Sequence, residues 1–331
     1  MDRSKLLKTL EVVGRALERN NVLPIYEYFC FTGNTVFSFN DNFGIVAPCK
    51  VPKPFAVHGP IFRDFLQASK ADEIEMEVDQ DQLLFVLGQT PHVLPCKQSS
   101  DFVWTEPNIG NDGYGTAITD GLEFCLPTCS ENLALEAFAR VCMKDSDGKI
   151  CVYSTDGDAL TKYTTDINGH IDACLSRAFC DAITKIGISY LIIGSEWVCS
   201  NFEDFKVYGR NLGPTTFDYE TNIGKILGGA TLDLVDIPVK LLNEHLTRAR
   251  IVADIETSPT TIMIKENILE LQTETPFGNV YDNIKIKHPD IEVKISAELF
   301  QKSMADCTQF RVLKNCCVFK GEKVMRLVSN L

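Results

Sequence analysis

Apolar positions along the chain switch between a helical and a strand period, and the switches mark out its elements. Over residues 4–20, Leu6, Leu7, Leu10, Val13, Ala16 and Leu17 share one stripe while Lys5, Lys8, Arg15 and Arg19 lie mostly off it, which predicts an amphipathic helix with a basic outer face. Strand-like runs follow at 22–31, 36–39 and 44–48, with a turn at Asn40-Asp41-Asn42 between the last two. Gly59-Pro60 opens a second helix over 61–70, with Phe62, Phe65 and Leu66 inward. Short strands are expected at 74–78, 83–87 and 92–96, and the Gly-, Asn- and Asp-rich stretch 106–115 reads as a link.

The same order then returns. Alternating apolar residues at 122–126 predict a strand, stopped by Pro127, and Ser130 is placed to cap a helix over 131–144 carrying Leu133, Leu135, Ala137, Phe138, Val141 and Cys142. The runs 150–153 and 162–167 form arms of a hairpin that bends at Asp156-Gly157. A helix over 175–186 is followed by strands at 190–194, 196–200 and 205–208 and by a second link, 211–229. A third round has a strand at 232–235, a helix after Pro238 with Val239, Leu242, Leu246 and Ala249, and strands at 261–264, 268–273 and 283–286. It closes with a helix over 296–306 and strands at 310–313, 317–319 and 324–328, so the chain is expected to end within structure.

Phe62, Phe179 and Phe300 stand near the starts of the second helices, 117 and 121 residues apart, and Leu122 and Leu232 open corresponding strands 110 apart. The repeat is therefore close to 110 residues. It predicts an α+β fold of three domains, 1–117, 118–229 and 230–331, each with two helices packed on antiparallel sheets. Such sheets have open edges, which a neighbouring repeat can cover, and two copies meeting head to tail would close the outermost ones.

With 331 residues and 45% hydrophobic content, the chain can bury several cores. It has no run of 18 or more apolar residues, and its start reads as an amphipathic helix rather than a signal sequence, so a cytoplasmic location without membrane contact is expected. The 13 cysteines are scattered and mostly sit in apolar runs such as 28–31 and 197–199, as buried reduced thiols do. Neither Cys125 with Cys129 nor Cys316 with Cys317 has a second pair at ligand spacing, and no metal or other cofactor is expected. Asp156, Asp158 and Asp166 lie close together without a nearby His, nucleophile or phosphate loop, and Gly110, Gly113 and Gly115 lack the Lys and helix of one. These absences argue against an enzyme. The net charge of -13 argues against a protein that grips nucleic acid over its whole surface. The six expected helices nevertheless carry more Lys and Arg than Asp and Glu, which concentrates positive charge on one layer.

Three short motifs stand out within this order: Thr155-Asp156-Gly157 with Leu160, Phe217-Asp218-Tyr219, and Met325-Arg326-Leu327. With the repeated elements around them, they resemble the bacterial DNA polymerase III beta sliding clamp family. The resemblance covers the whole chain as an order of elements and these motifs at residue level. It implies three clamp domains per protomer in a ring formed as a head-to-tail homodimer. Double-stranded DNA, held without sequence specificity, would meet Lys5, Lys8, Arg15, Arg19, Arg63, Arg140, Lys185, Lys240, Arg248 and Lys302 through loose, mostly water-bridged phosphate contacts. A pocket of Thr155, Gly157, Leu160, Phe217, Tyr219, Met325, Leu327 and Val328 would receive short peptides of a DNA polymerase, and a clamp loader would be a further partner.

The chain departs from the family where His-Arg usually follows Thr-Asp-Gly, because it has Asp158-Ala159 there. It also has Val324 where the family often has Pro, and it continues to Leu331. These departures imply a different peptide preference and fit a bacteriophage-encoded clamp. The alternative is a clamp-derived interaction scaffold or viral transcription co-activator without replicative sliding. A monomeric processivity factor is a third possibility.

Overall fold

The computed structural model describes residues 1–18, 23–102, 104–109, 114–228, 233–236, 239–252, 260–295, 297–304 and 306–329. The chain begins with α1 (Arg3–Val13), whose N-cap Asp2 accepts the Lys5 N–H at 2.7 Å. Next come β1 (Tyr28–Phe31), β2 (Thr35–Asn40), β3 (Phe43–Pro48), β4 (Phe55–His58), α2 (Gly59–Ala68), β5 (Ile74–Asp79), β6 (Gln82–Leu87), β7 (Thr90–Lys97) and β8 (Tyr114–Ala117). The middle holds α3 (Thr119–Cys125), β9 (Arg140–Ser146), β10 (Lys149–Thr155), β11 (Ala159–Asn168), β12 (Asp172–Ser176), α4 (Arg177–Ile186), β13 (Tyr190–Ile193), β14 (Trp197–Phe202), β15 (Phe205–Arg210) and α5 (Tyr219–Leu227). The last part holds β16 (Val235–Asp236), α6 (Val239–Val252), β17 (Thr260–Lys265), β18 (Ile268–Thr275), β19 (Gly278–Lys285) and β20 (Ile291–Ile295). It ends with α7 (Ala297–Met304), β21 (Gln309–Val312), β22 (Cys316–Lys320) and β23 (Val324–Ser329).

One compact unit comprises Met1–Thr119 and Ala178–Gly213. Its antiparallel strands run in the order β5-β6-β7-β4-β1-β2-β3-β15-β14-β13-β8. The join of β3 to β15 pairs Phe43 with Gly209 and Val46 with Lys206, so the edge left by the first round is covered by the last strand of the second. The unit's core includes Phe29, Phe31, Phe55, Phe62 and Phe85, with Phe31 stacked on Phe55 at 4.5 Å and Phe62 edge-on to Phe85 at 5.6 Å. Phe179 of α4 lies against Gly209, where an added Cβ would come within 2.6 Å of the ring.

The other unit comprises Asp120–Arg177 and Pro214–Leu331. It has an eight-stranded sheet, β12-β9-β10-β11-β23-β22-β21-β16, and a four-stranded one, β19-β18-β17-β20. Here β11 joins β23, pairing Ala159 with Val328 and Tyr163 with Val324, which is the same kind of join one round later. Phe300 of α7 is fully buried, edge-on to Phe319 at 4.9 Å. Thus Phe62 and Phe300 are local core, as is Phe179, while Phe65 packs on Phe85 and His92 at 5.6 and 5.1 Å.

Several expected elements differ. Residues 122–125 belong to helix α3 and Leu126 opens a 3₁₀ turn, not a strand, because Leu122 and Cys125 bury one helical stripe and Gly121 lets the helix approach Val152 and Tyr163. No helix spans 131–144. Ser130 Oγ accepts the Asn132 N–H at 3.1 Å and Asn132 Oδ1 accepts the Ala134 N–H at 3.0 Å, so local turns win over the helical period. Leu133 is left 72% exposed, and Val141 and Cys142 enter β9. The second link holds α5, and the first helix stops at Val13 before a short 3₁₀ turn, Gly14–Ala16. Strands β4, β12 and β20 run directly or almost directly into α2, α4 and α7, and their apolar residues had no boundary signal of their own. Arg19, Gly110, Gly113, Leu232, Pro238 and Ser296 lie outside the described residues, as do the side chains of Ala249 and Lys302. Cys142 and Cys174, opposite each other on β9 and β12, form a disulfide instead of two reduced thiols.

Candidate functional site

The bend between β10 and β11 is built by side chains. Asp156 Oδ1 accepts the N–H groups of Asp158 and Ala159 at 3.0 and 2.7 Å. Thr155 Oγ1 donates to the Ala159 carbonyl at 2.7 Å and accepts the Gly157 N–H at 3.1 Å. Gly157 has φ of 103°, a conformation that favours glycine. The bend starts β11 so that Leu160 faces Leu327 of β23. Around this pair lies a cavity of about 450 Å³. The bend and β11 supply Thr155, Gly157, Asp158, Ala159 and Leu160, while β23 supplies Leu327 and Ser329. Phe217 packs edge-on to Phe138 at 5.6 Å, and both rings line the space.

Five of the eight expected pocket residues therefore line one cavity: Thr155, Gly157, Leu160, Phe217 and Leu327. Tyr219 does not. It is 2% exposed behind the wall, stacked on Tyr153 at 4.9 Å and edge-on to Phe217 at 4.8 Å. Val328 is fully buried because strand alternation turns it to the face opposite Leu327. Met325 shares the face of Leu327 two residues back, opposite Lys162, beyond the cavity. Arg326 is 3% exposed and structural, reaching the Ser303 carbonyl at 3.4 Å and the Phe124 carbonyl at 3.3 Å.

The residues that the expected pocket left out are Phe138, Asp158, Ala159, Asn315, Cys316 and Ser329, and Asn222, Lys225 and Ile226 of α5. The signal for α5 was present. Asp218 caps it by accepting the Thr221 N–H at 3.1 Å, and Gly228 ends it at φ of 60°. Glu220 in its first turn accepts from Lys162 Nζ at 2.5 Å and from the Tyr153 hydroxyl. Burial opposes ionisation of Glu220, but these hydrogen bonds outweigh it and hold the carboxyl below its ordinary value.

By sequence, no family model and no curated protein matches the chain. By structure the match is full-length. A sliding clamp, DNA polymerase III subunit beta, from Bartonella birtlesii bound to griselimycin superposes with a TM-score of 0.86 at 14% identity. The DNA polymerase III subunit beta of Pseudomonas aeruginosa gives 0.83 at 15%, and the beta subunit of Thermotoga maritima 0.83 at 14%. Each alignment covers 100% of this chain and 98% of the other. The chain has the sliding-clamp fold. At these identities the likeness is one of fold, and it agrees with the α+β antiparallel architecture expected from the repeat.

On this sliding-clamp fold the expected phosphate contacts fall into two groups. Lys5 and Lys8 on α1, Arg15 on the 3₁₀ turn and Lys240 on α6 are exposed and have no ion pair among the described residues. Of the other described ones, three pair with acids of this chain. Arg140 opens β9 and pairs with Glu136 at 3.2 Å, Lys185 pairs with Asp181 at 2.6 Å, and Arg248 pairs with Asp282 at 2.6 Å. Arg63 on α2 is half-buried, its Nε shut from solvent. The basic excess of the helices is also smaller than expected, because α3 adds Asp120 and Glu123 without a cation. Among the acids once weighed for catalysis, Asp156 is used by the turn and Asp166 pairs with Lys323. Among the described residues, no group of three His, Cys, Asp or Glu side chains is placed to hold a metal ion, and no helix is long and apolar enough to cross a membrane.

Proposed function

We propose that this protein is a DNA sliding clamp, a non-enzymatic processivity factor that encircles duplex DNA and tethers a polymerase through the pocket at the β11–β23 join. The observation that carries the proposal is the convergence of Thr155, Gly157, Leu160, Phe217 and Leu327 on one cavity in a chain whose fold matches beta clamps over its whole length. The domains are 1–117, 118–229 and 230–331, and the ring is a head-to-tail homodimer. Twice within the chain, the third strand of a round pairs with the last strand of the next, as β3 does with β15 and β11 with β23. By the same rule β19, the third strand of the last round, would find β7 of a second copy. Tyr281, 55% exposed on β19, fits a surface that a partner covers. DNA would be retained by threading, with Lys5, Lys8, Arg15 and Lys240 as the phosphate contacts least engaged elsewhere. A clamp loader, a cytoplasmic setting and a bacteriophage origin belong to the same reading.

The test is retention on DNA. The protein loaded on nicked circular DNA should stay bound and be lost when the circle is linearised, and light scattering should give twice the protomer mass. Equal retention on both topologies favours the scaffold reading, for which the internal pairing of Arg140, Lys185 and Arg248 is the supporting observation. A one-protomer mass would remove the ring.

A further inference from the structure

The β3–β15 join repeats the β11–β23 join position by position. Trp197 pairs with Arg210 as Cys316 pairs with Ser329, and Gly44 faces Tyr208 as Leu160 faces Leu327. The bends feeding the two joins are closed alike, since Asn40 Oδ1 accepts the N–H groups of Asn42 and Phe43 at 3.0 Å each. Phe39 thus stands where Thr155 stands, and Asp41 where Gly157 stands. At the first join there is also a cavity, of about 500 Å³. Its walls are more aromatic, with the rings of Tyr26, Tyr28, Phe39, Phe102, Trp104 and Trp197 against those of Phe138 and Phe217 in the other pocket.

We infer that this cavity is a second peptide-docking site, which takes a short linear segment carrying an arginine or lysine beside an apolar residue. That the ligand is a peptide rests on the reading of the first pocket given above, whereas the preference for a cation rests on this cavity alone. Its lining holds two carboxylates, Asp41 and Asp101, against one guanidinium, that of Arg210. Both carboxylate residues are exposed, and Asp41 has one oxygen engaged by the Tyr26 hydroxyl at 2.7 Å. Two aromatic faces of the cavity already attract cations of this chain, with Arg210 5.3 Å over Trp197 and Lys97 Nζ 4.7 Å over Tyr28. An aromatic face presents negative potential to a cation, and such contacts strengthen where water is excluded. The floor is held in shape: Trp104 stacks on Phe39 at 5.2 Å and meets Phe37 at 5.1 Å. A ligand would therefore meet preformed walls and lose little affinity to reorganisation.

The chain's two tryptophans, Trp104 and Trp197, both line this cavity and neither lines the other pocket. Tryptophan emission is therefore a reporter of this site. The full-length protein is titrated with two hexapeptides of the same apolar residues, one carrying a central arginine and the other a central glutamate. The arginine peptide should give a saturable emission change with an affinity at least tenfold above that of the glutamate peptide. The exposed-site variants Asp41→Asn and Asp101→Asn together should weaken it at least threefold with no change in melting temperature, and Phe217→Ala, in the other pocket, should leave it unchanged. No saturable change, equal affinity for the two peptides, no effect of the paired Asn substitutions, or loss in Phe217→Ala would each overturn the inference. A silent tryptophan signal in protein that still binds peptide at Phe217 defeats this site alone, while the reverse defeats only the reading of the first pocket.

Discussion

Asn40 and Asp156 close equivalent bends with the same two hydrogen bonds, each side-chain oxygen accepting the backbone N–H two and three residues ahead. Each bend delivers a strand to the last strand of the next round. A side chain that satisfies two backbone donors fixes the direction in which the chain leaves the turn. Removing it with Asp156→Ala should cost about 1–2 kcal/mol of stability and weaken peptide binding, because Thr155 and Gly157 line the pocket. Asn40→Ala should cost a similar amount while leaving that binding intact. Thermal melts beside peptide titrations check both, and equal loss of binding in the two variants would contradict the assignment.

Phe217 is half-buried between Phe138 and Tyr219, so its removal opens the pocket wall while the core behind it stays packed. Phe217→Ala should reduce affinity for a labelled pentapeptide of leucine and phenylalanine at least tenfold, or about 1.4 kcal/mol. The melting temperature should fall by only a few degrees. Anisotropy titration measures the first quantity; affinity unchanged from the parent would remove Phe217 from the site.

Two buried histidines make the unit of α6 and β18–β23 sensitive to acid. His288 Nδ1 donates to the Pro289 carbonyl at 2.7 Å while Nε2 accepts the Val312 N–H at 3.0 Å, a pairing that only the neutral ring provides. His245 Nδ1 meets Asp282 at 2.5 Å, and Arg248 shares that carboxylate at 2.6 Å. Burial is the main cause holding both imidazoles below their ordinary value; the hydrogen bonds to Pro289 and Asp282 oppose it, and Arg311 and Arg248 reinforce it. The unfolded ring takes its proton near pH 6.5, earlier than the folded one, so the unfolded chain binds more protons below that point. Stability should therefore fall as pH drops below about 6.5, by at most about 1.4 kcal/mol per pH unit for each ring. Asp282, held low by His245 and Arg248 despite its burial, adds a loss further into acid. His288→Gln should flatten the melting temperature profile between pH 7 and 5, and an unaltered slope would count against this account.

The chain should label at every cysteine but two. Cys142 and Cys174 are joined with Cα atoms 4.1 Å apart, while the remaining cysteines take part in no disulfide. Burial pushes the Cys30 thiol up to about 12 and that of Cys49 to about 11, which keeps these two protonated and slow to react in the folded state. Iodoacetamide added to unfolded, unreduced protein should therefore leave two cysteines unmodified by mass, and reductant should release both. Full labelling without reductant would show the pair to be open.

The first round was legible because its helices and strands carry clean periods: α2 and β5–β7 fall where the pattern puts them, within a few residues, and α1 starts where expected although it stops at Val13 instead of running to residue 20. The stretch 131–144 misled because its apolar spacing is helical, yet Ser130 and Asn132 bind their own neighbours' N–H groups and turn the chain away. Helix α5 was hidden by its polar residues Glu220, Thr221 and Asn222, although Asp218 and Gly228 are sound stop signals at its two ends. At the pocket, Val328 and Leu327 cannot face the same way on one strand, and that alternation was readable from the start. The aromatic cavity was not readable at all. Nothing local links Trp104 to Trp197, and only the register of β3 on β15 brings their segments together.

Glu220 ties the β10–β11 hairpin to the pocket. Its carboxylate receives Tyr153 of β10 and Lys162 of β11 and sits in the first turn of α5, where the helix dipole favours a negative charge. The far side of the same helix gives the pocket Asn222, Lys225 and Ile226. Tyr153 is 1% exposed, so Glu220→Ala leaves its hydroxyl buried without an acceptor, at a cost of about 1–3 kcal/mol. The wall should then loosen before the sheet does, with hydrogen exchange rising across Tyr219–Leu227 and peptide affinity falling severalfold. Glu220→Gln keeps an acceptor for Tyr153 but gives up the charge facing Lys162, and should lie between the two. If exchange in α5 is unchanged in Glu220→Ala while binding is lost, the residue acts on the ligand directly and not by holding the helix.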